Sequence, residues 1–353
     1  MRGSLVWLSM MTACVPSHVA AVEVDATEGN DAVGATGGEG DGTTAPAACE
    51  LPEQTPACDE SADPLRALEI GCVDGVSSAE FHSDDDAAWR RTHEFGNAFW
   101  VAESSTAVLA LSTGRLAELN GALQVTAEVG AAQFASVDND NPNETSLPDP
   151  INPASGSAGS PFVNCDGTGD CSETLPAALD ATGLANDLIW FRFEAEVPEG
   201  VFGYQVRVAV LTAEYPERVA DPVSDMFVWW AGGETFTGNV ATLGGEPANV
   251  AGLSDLLRNH ALGDQMLVRT GFDGGTGSPC SIEGSMAADC PVGATTGWMQ
   301  LTGSVVPGER LSIAAALVDQ GDALLDTVVL LDQWQWRCEG CEPGSSCGLS
   351  VVP

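Results

Sequence analysis

The sequence predicts an all-β protein, an antiparallel β-sandwich of jelly-roll type with few short helices. Three observations carry that prediction. In LIWFRFEAEV, Ile189, Phe191, Phe193 and Ala195 alternate with Trp190, Arg192, Glu194 and Glu196, the period of two that marks a strand with one buried face. GYQVRVAV repeats the pattern, with Tyr204, Val206, Val208 and Val210 on one side and Gln205, Arg207 and Ala209 on the other. Short runs of this kind, separated by Gly and Pro turns, recur through the chain, which favours stacked antiparallel sheets.

Taken in order, the chain opens on a targeting signal. Met1-Arg2 supplies a positive charge, a short apolar run follows, and MTAC ends on Cys14. That run is too short to span a bilayer. The pattern is similar to a bacterial lipobox over residues 1–13, with Cys14 as the lipidated first residue of the mature protein. An ordinary signal peptide cut further on would leave the chain secreted instead. Val15 in place of Asp after the cysteine points to the outer membrane or the cell surface. Residues 15–48 carry six acids, no Lys or Arg and no aromatic residue, so they are expected to be a disordered tether. A folded domain is expected over 49–338 and a Cys-rich tail over 339–353.

Within that domain, ADPLRALEIGC reads as a short helix, and HEFGNAFW, AVLALST and GALQVTAEV read as short strands. Asp138-Asn139-Asp140-Asn141 has the alternating acids and amides of a calcium loop. Pro142 and the missing Gly break the EF-hand pattern, leaving a polar loop. Pro198-Glu199-Gly200 reads as a turn that pairs the two long strands as a hairpin. SDLLRNHAL (254–262) reads as a helix, and WMQLTGSVV, RLSIAAALV and TVVLLDQWQW complete the strand set.

Charge narrows the function. The 353 residues include 51 acids and 12 bases, for a net charge of −39, and every base is Arg. Without Lys there is no P-loop, no Schiff-base chemistry and no Ser-x-x-Lys nucleophile. Nucleic acid is excluded as a partner, because neutralising phosphates requires clustered positive charge. Cysteine usage fits an oxidising compartment. Setting Cys14 aside for the lipid leaves ten: Cys49, Cys58, Cys72, Cys165, Cys171, Cys280, Cys290, Cys338, Cys341 and Cys347. Ten suits five disulfides. Their connectivity is open, though Cys165 with Cys171 and Cys280 with Cys290 would each close a Gly-rich loop. Cys338-x-x-Cys341 prompts zinc, but no second such pair exists.

Four segments, in order, resemble the choice-of-anchor L domain of bacterial surface and secreted proteins. They are LALSTG (109–114), NDLIWFRFEAEVP (186–198), LTAEYPE with SDMFVWWAGG and GNVA (211–241), and VVPGERLSIAAALVDQGDALLDTVVLLD (305–332). The resemblance implies an extracellular, non-enzymatic β domain and names no ligand. It departs at Ala213, where the family has Glu, and at Ser224, where it has Asn. The family's anchors vary at the carboxyl terminus, and here the amino-terminal lipid is expected to take that role.

Three chemistries compete for the acids of this region. Glu214, Asp225, Asp319, Asp322 and Asp326, with Asp187 behind them, are oxygen ligands of the kind calcium takes. If the 319–326 turn and the 214–225 loop share one end of the sandwich, they could share that ion. A calcium-dependent carbohydrate-binding module would follow. Glu214 and Asp225 are also the one conceivable carboxylate pair for a secreted hydrolase. The third and preferred reading is adhesion or ligand binding at the cell envelope, to a glycan or a protein. Of the adjacent Trp229 and Trp230, alternation buries one; the other is either open to ligand contact or packed at an edge of the core, and packing is the favoured reading. His82, His93 and His260 stand in unrelated contexts and read as surface or packing residues.

Overall fold

A computed structural model describes residues 49–52, 63–72, 75–103, 107–119, 121–125, 139–151, 174–175, 179, 184–216, 218–220, 224–234, 236–259, 265–272, 293–320 and 325–352. The signal segment, Cys14, the tether, Asp138, Cys58, Cys165, Cys171, Cys280, Cys290, His260 and Asp322 lie outside the described residues. The strands are β1 (Val76–His82), β2 (Trp89–Thr92), β3 (Val108–Ser112), β4 (Leu116–Leu119), β5 (Ala122–Val125), β6 (Thr145–Ser146), β7 (Leu184–Glu196), β8 (Gly203–Thr212), β9 (Met226–Gly232), β10 (Thr237–Asn239), β11 (Thr242–Leu243), β12 (Glu246–Asn249), β13 (Arg258–Asn259), β14 (Ala294–Ser304), β15 (Arg310–Asp319), β16 (Thr327–Arg337) and β17 (Gly348–Val351).

They form two large sheets. The first runs β1-β7-β15-β9-β12-β11, with β6 beside β7 and β10 beside β9; the second runs β13-β14-β8-β16-β3-β2, with β17 beside β14. β4 and β5 make a separate hairpin. The pairings are antiparallel throughout. The protein is the all-β sandwich that the alternation predicts.

β7 and β8 are not a hairpin. β7 pairs with β1 and β15, whereas β8 pairs with β14 and β16, so residues 198–200 carry the chain from one sheet to the other. The reason lies in the two apolar rows. Ile189, Phe191, Phe193 and Ala195 share one buried cluster with Tyr204, Val206, Val208 and Val210. Facing each other across the sandwich, both rows lose water; side by side in one sheet they would need a third layer to cover them. Phe193 of β7 meets Trp334 of β16 edge to face, 5.3 Å between ring centres, a geometry that adds roughly 0.5–1.5 kcal/mol beyond area burial.

Each sheet is also covered on part of its outer face. On the second sheet Ala209, Leu211, Val328 and Leu330 pack under Phe95, Trp100 and Phe272. On the first, Val228, Trp230, Ala314 and Ala316 pack under Ile151, Leu175 and Leu179. Strands buried on both faces read as continuous apolar runs, which is how MFVWW and TVVLL look in the sequence.

Local differences follow from packing. HEFGNAFW is a tight turn rather than a strand. Phe95 and Trp100 are fully buried, and the Trp100 indole N–H donates to the Met266 carbonyl at 2.7 Å. The helix expected at 254–262 is absent from its described part, 254–259. Leu253 and Leu257 turn into the core, and Arg258–Asn259 then pair with β14. The ADPLRAL stretch is a five-residue 3-10 turn, Pro64–Leu68, capped by the Asp63 side chain. The tail is no separate segment, because β17 pairs with β14. Cys49 bonds Cys338, and Cys341 bonds Cys347; Cys72 is also disulfide-bonded. The two cysteines of the CxxC thus enter different bridges and leave no thiolates for zinc.

Candidate functional site

Strand registers bring the predicted acids to one end of the sandwich. Thr212 at the end of β8 faces Thr327 at the start of β16. Met226 at the start of β9 faces Val318, and Asp319 faces Asn186. Glu214, Asp225, Asp319, Asp326 and Asp187 therefore cluster at that end, and all five are buried. Burial is the surprise, since charged side chains of this kind are ordinarily left in water.

Threonines hold the cluster. The Asp225 carboxyl accepts from the Thr113 hydroxyl at 2.8 Å, and that hydroxyl accepts the Thr327 backbone N–H at 2.9 Å. The Thr212 hydroxyl accepts from Thr327 and from the Glu214 N–H. The Asp225 N–H donates to both Glu214 carboxylate oxygens, at 3.2 and 3.1 Å, and the Ala213 N–H donates to the Asp326 carbonyl. Asn139 donates to the Ser112 and Thr113 carbonyls, and Asn141 accepts from Ser83, Asp84 and Asp85. The described part of the DNDN run is a polar loop, and its two asparagines are buried braces within it. The sequence reading missed all of these holders. Their signal was a hydroxyl near an acid at strand ends in VLTAE and LLDT; LSTG offers the hydroxyl alone.

Burial first, then the Glu214 charge, pushes the Asp225 carboxyl well above its usual range, with Asp326 adding to the shift. A carboxyl raised in this way binds its proton more tightly folded than unfolded. Its contribution to stability is thus full below the ordinary carboxylate value near 3.8 and is lost as pH rises through the folded value. Asp225→Asn keeps the shape and removes the titration. At pH 8 the variant should melt higher than the parent by about 1–3 kcal/mol of stability, the scale at which a buried charge is relieved by a neutral group. The gap should close as the pH falls toward 4. Thermal melts of the oxidised protein across that range, in calcium and in chelator, check it. A variant less stable than the parent at pH 8 would mean that an ionised Asp225 is needed.

Among the described residues no three His, Cys, Asp or Glu side chains are arranged to hold a metal ion. Glu214 and Asp225 line only a cavity of about 10 Å³, shared with Thr212, Asn249, Thr327 and apolar side chains, room for about one water molecule. A sugar needs far more space between two carboxylates. Neither of the adjacent tryptophans is left open for ligand contact. Trp229 and Trp230 are 0% and 1% exposed. Trp229 enters the core between the sheets, and Trp230 packs on the outer face with Ile151, Leu175 and Leu179.

Open space lies elsewhere. A groove of about 670 Å³ crosses the outer face of the first sheet between β1, β7 and β15, walled on one side by Asp149 and Pro150. It exists because β15 presents Ser312 beside the taller Arg192 and Glu194 of β7, the polar row of the alternation. In β1, Ser77 faces Glu194 and Glu80 faces Arg192, so Ser78 and Ala79 together oppose one residue of β7. Ser78 has φ +54°, uncommon for a residue with a side chain. Arg192 is fixed by Glu80, at 2.9 Å from Nε and 2.7 Å from Nη2, and donates to the Asp149 carbonyl. Its guanidinium also sits 5.3 Å from the Trp190 ring centre, whose ring is stacked with His82. Arg310 holds Glu194 at 3.1 Å.

The chain matches no family model, no curated protein and no solved structure.

Proposed function

We propose that this is a lipid-anchored protein of the cell envelope whose β-sandwich binds an extracellular ligand and performs no chemistry on it. The groove between β1, β7 and β15 is the binding site. One contrast carries the proposal. The paired carboxylates that would make a hydrolase line a cavity of about 10 Å³, whereas the groove offers about 670 Å³, within the roughly 300–1,000 Å³ of ligand sites. Its polar groups stand on paired strands and are oriented by one another, which lowers the entropy lost on binding. The MTAC motif, the acidic tether and the cysteine usage support the envelope location, and the resemblance to surface domains agrees with it.

Hydrogen exchange tests the site. With a panel of oligosaccharides and peptides added to the oxidised protein, at least one member should slow exchange in residues 76–82, 190–194 and 310–314. Slowing confined to residues 212–226 and 319–327 would transfer the function to the acidic end. Turnover of an added oligosaccharide that Glu214→Gln abolishes would make the protein an enzyme.

A further inference from the structure

Resting on that reading of the groove, we infer that its ligand is a neutral glycan. The groove is walled by guanidinium, carboxylate, hydroxyl and backbone groups, with Ala79, Pro150 and Phe193 as its apolar residues. A wholly apolar ligand would cover the guanidinium and the carboxylates without pairing them, which costs free energy. A chain of hydroxyls matches it better. Each sugar hydroxyl both donates and accepts, and each charged couple, Glu80 with Arg192 and Glu194 with Arg310, presents a donor beside an acceptor.

The charges also select against anions. Arg192 and Arg310 are both already engaged by carboxylates. A sulfate or uronate would have to displace Glu80 or Glu194, beside Asp149, in a chain of net charge −39. Displacement would strand a carboxylate in the groove, and like charge suppresses the approach itself. Neutral hydroxyls ask for no such exchange, because they add to the couples without breaking them.

The backbone contributes too. Ser78 and Ala79 sit in an irregularity of an edge strand, where the ladder is interrupted and main-chain groups are left free of the regular pairing. Such groups, held in a strained conformation, tend to collect at ligand sites. Ser78 and Ala79 line the groove along its β1 wall, next to Glu80. A linear oligosaccharide laid parallel to β1 would meet them in sequence.

The test is an array of neutral, N-acetylated, sulfated and uronate oligosaccharides, read with the parent protein and with Ser312→Trp, Arg192→Ala and Glu194→Gln. Neutral glycans should bind the parent. Each variant should weaken that binding about tenfold or more, the worth of one charge-assisted hydrogen bond or of a filled subsite. Glu194→Gln is at the surface and keeps the fold testable if Ser312→Trp melts early. Groove binding by sulfated or uronate sugars alone, or by peptides alone, overturns the neutral-glycan inference and leaves the groove as the site. Binding that none of the three variants weakens, or no slowing of exchange in the groove with any probe, overturns both.

Discussion

Removing the Cys49–Cys338 bridge should lower stability by about 5–6 kcal/mol, against about 2 kcal/mol for the Cys341–Cys347 bridge. The two disulfides close spans of 289 and 6 residues. A cross-link restricts the unfolded chain more when it closes a longer loop, by an amount that grows with the logarithm of loop length. Cys49 stands at the entry to the folded part, and Cys338 follows directly on β16. Their bond ties the first described residues to the strand that lies between β8 and β3 in the second sheet. Alanine at both positions, so that no free thiol remains, should drop the midpoint by about 10 °C, given 2–4 °C per kcal/mol in chains of this size. Melts of the two double variants side by side check the prediction. Equal losses would mean that native contacts around the bridges, and not loop closure, carry their effect.

The alternation at 189–196 announced both a buried row and a polar row, and both are present. Period two says which residues share a face; it says nothing about which strand lies alongside. That is why the turn at 198–200 looked like a hairpin and is instead a crossing between sheets. The same limit hid the site. Arg192 and Glu194 were visible as the polar row of β7. Their partners Glu80 and Asp149 sit far away in the chain, and the groove depends on Ser312 of β15 being small. For the acids the reverse held. Glu214, Asp225 and Asp326 were visible as a dense group of acids without basic partners, and a shared end of the sandwich was the alternative to their facing water separately. Their burial was not foreseen, because it depends on hydroxyls from Thr113, Thr212 and Thr327 arriving from three separate strands. The tryptophans show a further limit. Alternation puts one of an adjacent pair outward, but outward is not exposed when a loop such as 145–151 covers the sheet.

Arg207→Ala should cost about 3–5 kcal/mol, the penalty for leaving one partner of a buried ion pair without the other. Arg207 on β8 faces Asp332 on β16 directly across the ladder. Its Nη1 lies 3.0 Å from the Asp332 carboxylate and 2.9 Å from Glu103. Asp332 is fully buried and also accepts the Glu103 backbone N–H at 3.1 Å. The guanidinium lies 4.4 Å from the Trp298 ring centre, so one side chain neutralises a buried acid and covers an indole. Arg207→Lys separates the two roles. An ammonium keeps the charge but loses the planar stacking and the fork of donors, so its loss should fall between those of the parent and the alanine variant. Arg207→Met with Asp332→Leu removes both charges and should recover most of the stability, because apolar pairs of similar volume replace buried ion pairs at little cost. Denaturant melts of the single and double variants close the cycle. A double variant as unstable as Arg207→Ala would show that the Trp298 contact, not the neutralised carboxylate, is what the arginine supplies.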